Sequence, residues 1–202
     1  MLRLLLATNN PGKVREYRSL FQDLPYDVVT LAEQEITTEV DEVGSNLEEN
    51  ARLKATALAA ESHLLTLADD SGLEVDALGG EPGPLSHRYA GEGASDEDRV
   101  SYLLSRLKEV PWAERTARFR CVIALARPGG DIEFCHGECP GIITFEPCGE
   151  QGFGYDPIFY LPELGKTMAE LSLEEKNRVS HRGIAAREAY QVLVRLKNSL
   201  AE

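Results

Sequence analysis

The sequence lacks an apolar run long enough to cross a membrane. A membrane-spanning helix needs about 20 consecutive apolar residues, and no uninterrupted apolar run in these 202 residues approaches that length. The opening residues, Met1-Leu2-Arg3-Leu4, also lack the layout of a secretory signal peptide, because a strand and a polar loop follow at once. We therefore expect a cytoplasmic protein without a membrane partner.

Basic residues are few compared with acidic ones. The chain has 21 Lys and Arg residues against 34 Asp and Glu residues, which gives a formal net charge of −13 at pH 7. Such a surface repels the phosphate backbone of DNA and RNA, so a nucleic-acid polymer is not an expected partner. A small nucleotide is still compatible with this charge, because local cations and a bound metal ion override the global sign.

Cysteine is also scarce, with four residues and no Cys-x-x-Cys pair. Cys135 and Cys139 flank His136, but this spacing resembles a metal site only superficially, since no matching second half follows. Reduced structural thiols are favoured over a structural zinc site. Cys121 lies in an apolar run that is typical of a core strand.

Strand and helix patterns alternate along the chain, which predicts an α/β fold. With no internal repeat or linker, residues 1–202 are expected to form a single domain. The predicted elements are a strand at Leu2–Ala7, a helix opened by Asn10 and Pro11, a strand at Tyr26–Leu31, a helix from about Asn46 to Ser62 opened by a Ser45–Glu48 capping box, a helix opened by Ser95 and Asp98, a hairpin around Arg127–Asp131, a further strand at Gly141–Phe145 and a last helix from about Gly183 to Leu200.

The apolar run that begins at Leu65 ends in two adjacent carboxylates, Asp69 and Asp70, followed by Ser71 and Gly72. Buried carboxylates are costly unless something compensates their charge. A bound cation would do so, and the ends of strands are where α/β sheets place their ligands. The alternative is a strand followed by an ordinary polar Asp-Ser-Gly turn.

A second strand is followed by the polar loop Thr8–Lys13 and then by a helix. Free backbone N–H groups at a helix start, with Lys13 beside them, suit a phosphate group. The loop is not a Walker A motif, because Val14 follows Lys13 where that motif needs Ser or Thr. An anion-binding loop together with a carboxylate pair points to a phosphate-containing ligand.

Six motifs resemble those of the Ham1/inosine triphosphate pyrophosphatase family, and they follow the family's order across nearly the whole chain. They are Ala7–Lys13, Asp41–Gly44 with Glu49–Ala51, Ala68–Leu73, Ser86–Gly91, Phe153–Pro157 and Ser180–Gly183. The resemblance implies a fold with an elongated mixed β-sheet flanked by helices, in two lobes with a central active-site cleft. It also implies a homodimer that hydrolyses non-standard purine nucleoside triphosphates to the monophosphate and pyrophosphate.

The resemblance further implies Mg²⁺ as the cofactor, held by Asp41, Glu42 and Asp70. Carboxylate oxygens suit this hard cation, which takes few protein ligands. The alternative for Asp41 and Glu42 is a solvated acidic loop. Asp70 is the expected general base, and Asp69 is expected to orient it or to assist the metal. The sequence does not separate base from metal ligand within this pair.

The resemblance implies a set of substrate-binding residues. They are Thr8, Asn9, Asn10, Pro11, Gly12, Lys13, Asn50, Lys54, Ser71, Arg88, Phe153, Gly154, Tyr155, Asp156, Lys176, His181 and Arg182. Lys13 is expected to contact the triphosphate together with the backbone of residues 8–12, and Asn50 and Lys54 to point into the cleft from one face of a helix. We expect Phe153 to stack on the purine, and His181 and Arg182 to donate hydrogen bonds to the C6 carbonyl that adenine lacks.

Some of these assignments have a simpler alternative. Asn50 and Lys54, one helical turn apart, also fit a solvent-exposed helix face, and Lys176 fits a solvated helix end. Arg88 could form a structural ion pair, and His181 with Arg182 could be capping or surface residues. Two functions also compete with the proposed hydrolysis: a nucleotide sensor that binds without turnover, and a Maf-like pyrophosphatase acting on other nucleotides.

Overall fold

The computed structural model describes residues 2–199, which form a mixed α/β fold as predicted. Its strands are β1 Leu2–Leu6, β2 Tyr26–Thr30, β3 Leu65–Val75, β4 Pro82–Gly83, β5 Thr116–Ala126, β6 Ile132–Ile143, β7 Phe159–Leu161 and β8 Lys166–Thr167. Its helices are α1 Pro11–Leu20, α2 Leu47–Ser62, α3 Asp96–Arg106, α4 Leu173–Val179 and α5 His181–Ser199.

The sheet is mixed, in the order β2-β1-β3-β5-β6-β7-β8, with β4 paired to β3. Strand β1 is parallel to both β2 and β3, whereas the pairs β3–β4, β6–β7 and β7–β8 are antiparallel. Within the described part of the chain, no helix is long and apolar enough to span a bilayer.

The described residues divide into two compact units. Unit 1 comprises residues 2–70, 121–137 and 182–199, and unit 2 comprises residues 71–120 and 138–181. Strands β3, β5 and β6 contribute residues to both units. The single domain and the active-site cleft that we expected from the sequence stay predictions.

In unit 1, helices cover both faces of the parallel strands. Leu4 and Leu6 of β1 belong to an apolar cluster with residues of α1 and α5, while Leu5 belongs to a second cluster with residues of α2. Successive side chains of a strand point to opposite faces, so a strand with a helix layer on each side needs apolar residues at every position. All three leucines are fully buried.

Unit 2 has its own apolar core around β3, α3 and the short strand β7. Helix α3 contributes Val100 and Leu103, its C-cap residue is Leu107, and all three pack with Phe119 and Phe159. Their spacing of three and four residues places them on one side of the helix, which explains why that side is buried.

The predicted caps can be compared directly with the structure. Asn10 caps α1, with Pro11 as its first residue, and Ser95 forms a capping box with Asp98 at α3, so both predictions are confirmed. The predicted Ser45 cap of α2 is wrong by one residue. Asn46 is the cap, because its side chain accepts the N–H of Glu49 at 2.9 Å, and Ser45 instead donates to the Glu49 carboxylate.

Other predicted boundaries also differ from the structure, and β1 and β2 each end one residue before the predicted end. Helix α5 begins at His181, two residues before the predicted start, and its predicted end at Leu200 lies outside the described residues. The segment predicted as a separate strand from Gly141 belongs to β6, which ends at Ile143. Strand β3 does not stop at the acidic pair but continues to Val75, so the polar-turn alternative is wrong.

Candidate active site

Asp69 and Asp70 lie inside strand β3 and are buried, with 2% and 6% of their surfaces exposed. Neighbouring residues of a strand project to opposite faces of the sheet. Asp69 therefore points toward the face covered by α1 and α5, and Asp70 toward the face covered by α2. The contacts of the two carboxylates follow this division.

Asp69 is held between two cations. Its Oδ1 lies 3.0 Å from Lys13 Nζ, and its Oδ2 accepts a hydrogen bond from Arg182 Nε at 3.1 Å. Burial alone would raise the pKa of Asp69, but the charges of Lys13 and Arg182 outweigh it and hold that pKa well below its usual range. Asp69 is therefore a fixed carboxylate and a poor proton acceptor.

Arg182 extends this network to a second carboxylate. Its Nη1 donates to Glu16 Oε2 at 2.8 Å, and the side chains of both residues are almost fully buried. Burial would lower the pKa of Arg182, but Asp69 and Glu16 raise it well above its usual value. The alternative placement of Arg182 as a surface or capping residue is therefore wrong.

Asp70 faces different partners, both from helix α2. Its Oδ2 accepts a hydrogen bond from Asn50 Nδ2 at 3.0 Å, and its Oδ1 lies 3.5 Å from Lys54 Nζ. Burial raises the pKa of Asp70, and the charge of Lys54 opposes that shift only in part. Of the two adjacent carboxyls, Asp70 is thus the one with the higher affinity for a proton.

Lys54 connects Asp70 to the acidic loop. Its Nζ donates to Glu42 Oε1 and to the backbone oxygen of Asp69, both at 2.9 Å. Burial would lower the pKa of Lys54, yet Asp70 and Glu42 together raise it. Asn50 and Lys54 are both largely buried, so the alternative of a solvent-exposed helix face is wrong.

The loop before α1 is ordered by its own side chains. Asn10 Oδ1 accepts the N–H groups of Gly12 and Lys13 at 2.8 and 3.1 Å, and Thr8 Oγ1 accepts the N–H of Asn10 at 3.2 Å. The cap thus occupies two of the amides that we expected to be free for a phosphate, so that expectation is wrong for them. Lys13 remains, with its ammonium directed to Asp69.

Glu42 and Asp70 could hold a metal ion. Both carboxylates already converge on one cation, the Lys54 ammonium, and their hard oxygen donors suit Mg²⁺, which needs few protein ligands. Asp41 is exposed in the neighbouring loop position. Across residues 2–199, no group of three or more His, Cys, Asp or Glu side chains forms a metal cluster by itself.

In unit 2, the loop 152–156 presents an aromatic ring beside a buried ion pair. Asp156 Oδ2 accepts the N–H of Phe153 at 2.9 Å and is paired with the Lys176 ammonium. That ammonium lies 4.8 Å from the centre of the Phe153 ring. Lys176 is 3% exposed, so the alternative of a solvated helix end is wrong.

Glycine is required at position 152. Its φ of +79° lies in the left-handed region, and a Cβ there would come within 2.1 Å of Asp156 Oδ2. The close approach lets the Asp156 carboxylate reach the N–H of Phe153. The hydrogen bond between Asp156 and the Phe153 N–H therefore stabilises the conformation of the loop.

Other predicted site residues have different surroundings. The Tyr155 hydroxyl donates to the backbone oxygen of Ser86 at 2.8 Å, and its ring belongs to the unit 2 core. Tyr155 therefore anchors the loop 152–156 to the core of unit 2. The ring of His181 stacks on Phe119, with centroids 4.6 Å apart, and His181 is buried. Exposed Asn9, Pro11 and Arg88 and half-buried Ser71 and Gly154 complete the predicted set.

Sequence reasoning missed Glu16, Cys121 and Asp96. Glu16 lies three residues after Lys13, on the same side of α1, which is the only local signal for it. Cys121 Sγ lies 3.8 Å from Asp69 Oδ2, and Asp96 accepts the N–H of Gly154 at 2.7 Å. Both contacts join residues more than 50 positions apart, so local patterns do not report them.

A mixed α/β protein with a buried carboxylate pair, two lysines and a separate aromatic loop has the features of a phosphate-ester or anhydride hydrolase. The sequence model of the Ham1 family matches residues 4–192. The chain belongs to the Ham1 family.

Individual relatives agree with this membership. The chain is 52% identical over 195 residues to the dITP/XTP pyrophosphatase of Desulforamulus reducens, covering 96% of this chain and 97% of that protein. The solved structure of a HAM1 protein from Coxiella burnetii matches with a TM-score of 0.87 at 42% identity, covering 96% of this chain and all of the other. The Ham1 protein of Staphylococcus aureus matches with a TM-score of 0.83 at 44% identity, covering 95% and 97%.

Proposed function

We propose that this protein is a nucleoside triphosphate pyrophosphohydrolase that acts on non-standard purine nucleotides, namely ITP, dITP and XTP, and so removes them from the nucleotide pool. The products are the nucleoside monophosphate and pyrophosphate. The observation that carries the proposal is the contrast between the partners of the two carboxylates: Asp69 is held by the cations of Lys13 and Arg182, whereas Asp70 faces Asn50 and Lys54. The name of the Desulforamulus reducens relative supports this choice of substrates.

In this proposal Asp70 accepts the proton of the water that attacks the α-phosphorus. Asp69 is already paired with Lys13 and Arg182, which makes it a poor proton acceptor, so we assign the role to Asp70. Asp69 instead fixes Lys13, and Asn50 fixes Asp70. Lys13 and Lys54 supply positive charge for the phosphate oxygens.

The proposed cofactor is Mg²⁺, for which Glu42 and Asp70 are the fitting ligands and Asp41 the third residue implied by the resemblance. When bound, it neutralises negative charge on the phosphates and lowers the pKa of coordinated water. Lys54 contacts both Glu42 and Asp70, so it holds these two carboxylates in place.

The test is a panel of nucleotides incubated with Mg²⁺ in ¹⁸O-labelled water. We expect pyrophosphate rather than orthophosphate as the primary product, and label in the monophosphate, because the water attacks the α-phosphorus. Orthophosphate, or label in pyrophosphate, would contradict this mechanism. Tight binding of ITP without turnover would favour the nucleotide sensor, and preference for modified pyrimidines would favour the Maf-like alternative.

For base selection, we propose that Phe153 stacks on the purine and that His181 and Arg182 donate to its C6 carbonyl. Loss of a charge-assisted hydrogen bond costs roughly 1.5–3 kcal/mol, so Arg182→Ala should lower kcat/KM for ITP by one to two decades more than for ATP. Because Arg182 also pairs with Asp69, turnover of both nucleotides should fall as well. A constant ratio of the two kcat/KM values would limit Arg182 to its ion pairs with Asp69 and Glu16.

A homodimer in the cytoplasm completes the proposal. Family resemblance supports the dimer, and the acidic composition with no apolar run of membrane length supports the location. Light scattering of the purified protein at working concentration tests the dimer, and a monomeric mass would contradict it. Fractionation of cells that express a tagged chain tests the location.

A further inference from the structure

The aromatic loop 152–156 is bound by a second carboxylate, from helix α3. Asp96 Oδ2 accepts the N–H of Gly154 at 2.7 Å, next to the N–H of Phe153 that Asp156 accepts at 2.9 Å. Two consecutive backbone N–H groups of the loop thus donate to two different carboxylates. These N–H groups lie on either side of the Phe153 Cα, which carries the ring. Gly154 has a φ of +62°, and Gly152 before it is also left-handed, so the backbone on both sides of Phe153 is intrinsically permissive.

Arg99 holds Asp96 in this position. It follows Asp96 by three residues on α3, is buried, and its Nη2 pairs with Asp96 Oδ1. Its Nη1 donates to the backbone oxygens of His87 and Ala94 at 3.0 and 2.6 Å. The planar guanidinium can make these contacts together, which a lysine ammonium cannot reproduce in one plane.

The connection spans three segments of unit 2. Asp96 and Arg99 join the loop 152–156 to α3 and to the segment that carries His87 and Ala94. Tyr155 makes a second bond between the same loop and Ser86, beside His87. Burial would raise the pKa of Asp96, but the bonds from Gly154 and Arg99 lower it, so the acceptor stays charged at neutral pH.

We propose that Asp96 and Arg99 are positioning residues for purine recognition, which hold the Gly154 amide and thereby the orientation of the Phe153 ring. The inference rests on the proposed function, because it takes the purine to be the group that Phe153 contacts. Asp96 acts through the loop backbone and not on the reacting phosphates. Its loss should therefore weaken binding of ligands that contain the base and spare ligands that contain only phosphate.

The first experiment needs no substrate. Hydrogen exchange of the Gly154 amide is measured by NMR in the wild type, Asp96→Ala and Asp98→Ala. Asp98 is a matched control on the same helix turn, since its carboxylate accepts hydrogen bonds from the backbone N–H and the hydroxyl of Ser95 at 2.9 and 2.7 Å. We expect Gly154 exchange to rise about tenfold or more in Asp96→Ala, as for a lost hydrogen bond, and to stay unchanged in Asp98→Ala. Unchanged exchange in Asp96→Ala would overturn the inference.

The second experiment distinguishes an effect on binding of the base from an effect on binding of the phosphates. For Asp96→Ala we expect KM for ITP and the inhibition constant of IMP to rise about tenfold, with little change in the inhibition constant of pyrophosphate. Asp96→Asn should raise both constants less, because its amide oxygen can still accept the Gly154 N–H. Arg99→Lys should raise the same two constants, but by less than Asp96→Ala. If binding of IMP and of pyrophosphate weakens equally, Asp96 only stabilises the fold, and the positioning role is overturned.

The two proposals fail in different ways. If the wild type does not release pyrophosphate from ITP, the proposed function is wrong, and Gly154 exchange still tests whether Asp96 holds the loop. If the wild type turns over ITP while Asp96→Ala keeps its KM, the function stands and the positioning role is wrong. A thermal melt of each variant confirms that all comparisons are made on folded protein.

Discussion

The buried ion pair of Asp156 and Lys176 leads to a prediction about stability. Both side chains are 4% exposed, and Asp156 also accepts the N–H of Phe153. Asp156→Ala would leave the Lys176 ammonium buried without this partner, and breaking a buried pair from one side costs about 3–5 kcal/mol. For a chain of this size, each kcal/mol lowers Tm by about 2–4 °C, so Tm should fall by roughly 6–20 °C.

The assay is urea unfolding followed by circular dichroism, with a melt as a second measurement. The control is Glu163→Gln, which removes an exposed carboxylate from the same unit and should change the free energy of unfolding by less than about 0.5 kcal/mol. Asp156→Asn should be milder than Asp156→Ala, because its amide oxygen can still accept the Phe153 N–H.

A double variant tests the physical reason for this cost. Asp156→Asn combined with Lys176→Met removes both charges, and replacing a buried pair by neutral groups of similar volume is often nearly neutral. The double variant should therefore be more stable than Asp156→Asn alone. If Asp156→Ala costs under about 1 kcal/mol, or if the double variant loses the sum of the two single losses, the argument from a buried charge is refuted.

Three further predictions concern the carboxylate pair and the thiols. Asp70→Asn should lower kcat for ITP by about 10²–10⁴-fold with the fold retained, and a near-normal kcat would remove Asp70 from the base and metal roles. Lys13→Ala should raise KM for ITP more than the inhibition constant of IMP, and Arg15→Ala, at an exposed position, is the control. An equal rise of the two constants would place Lys13 away from the phosphates. Exposed Cys148 should react with a thiol reagent at pH 8 in the native protein, whereas buried Cys121, whose pKa burial raises to about 12, should react only after unfolding. Mass spectrometry of the labelled peptides checks this order, and early labelling of Cys121 would contradict it.

Features set by neighbouring residues were predictable from the sequence. The Asn10 and Ser95 caps were correct because a cap and its amide lie within three residues of each other. The same locality explains the error at α2, where Ser45–Glu48 and Asn46–Glu49 both fit the capping pattern. Only the backbone conformation, extended at Asn46, decides between them.

The acidic pair shows where local reasoning ended. Its residues and its place in a buried strand were readable from the sequence, and strand alternation alone implies that Asp69 and Asp70 face opposite sides. Which helix covers each side is a matter of tertiary packing. That packing brings Lys13 and Arg182 to one carboxyl and Asn50 and Lys54 to the other, so it alone separates their pKa values.

The partners of charged side chains were the other property that only the tertiary structure decided. Lys176 lies in an acidic, polar stretch that is typical of a solvated helix end, and Asp96 lies in the exposed-looking first turn of α3. Their partners, Asp156 and Gly154, are 20 and 58 positions away in the chain. Sequence patterns report contacts within a few residues, whereas the electrostatic energy of a charge depends on every group that packing brings near it. The motifs of the chain therefore determined its family, and the packing determined the role of each charge.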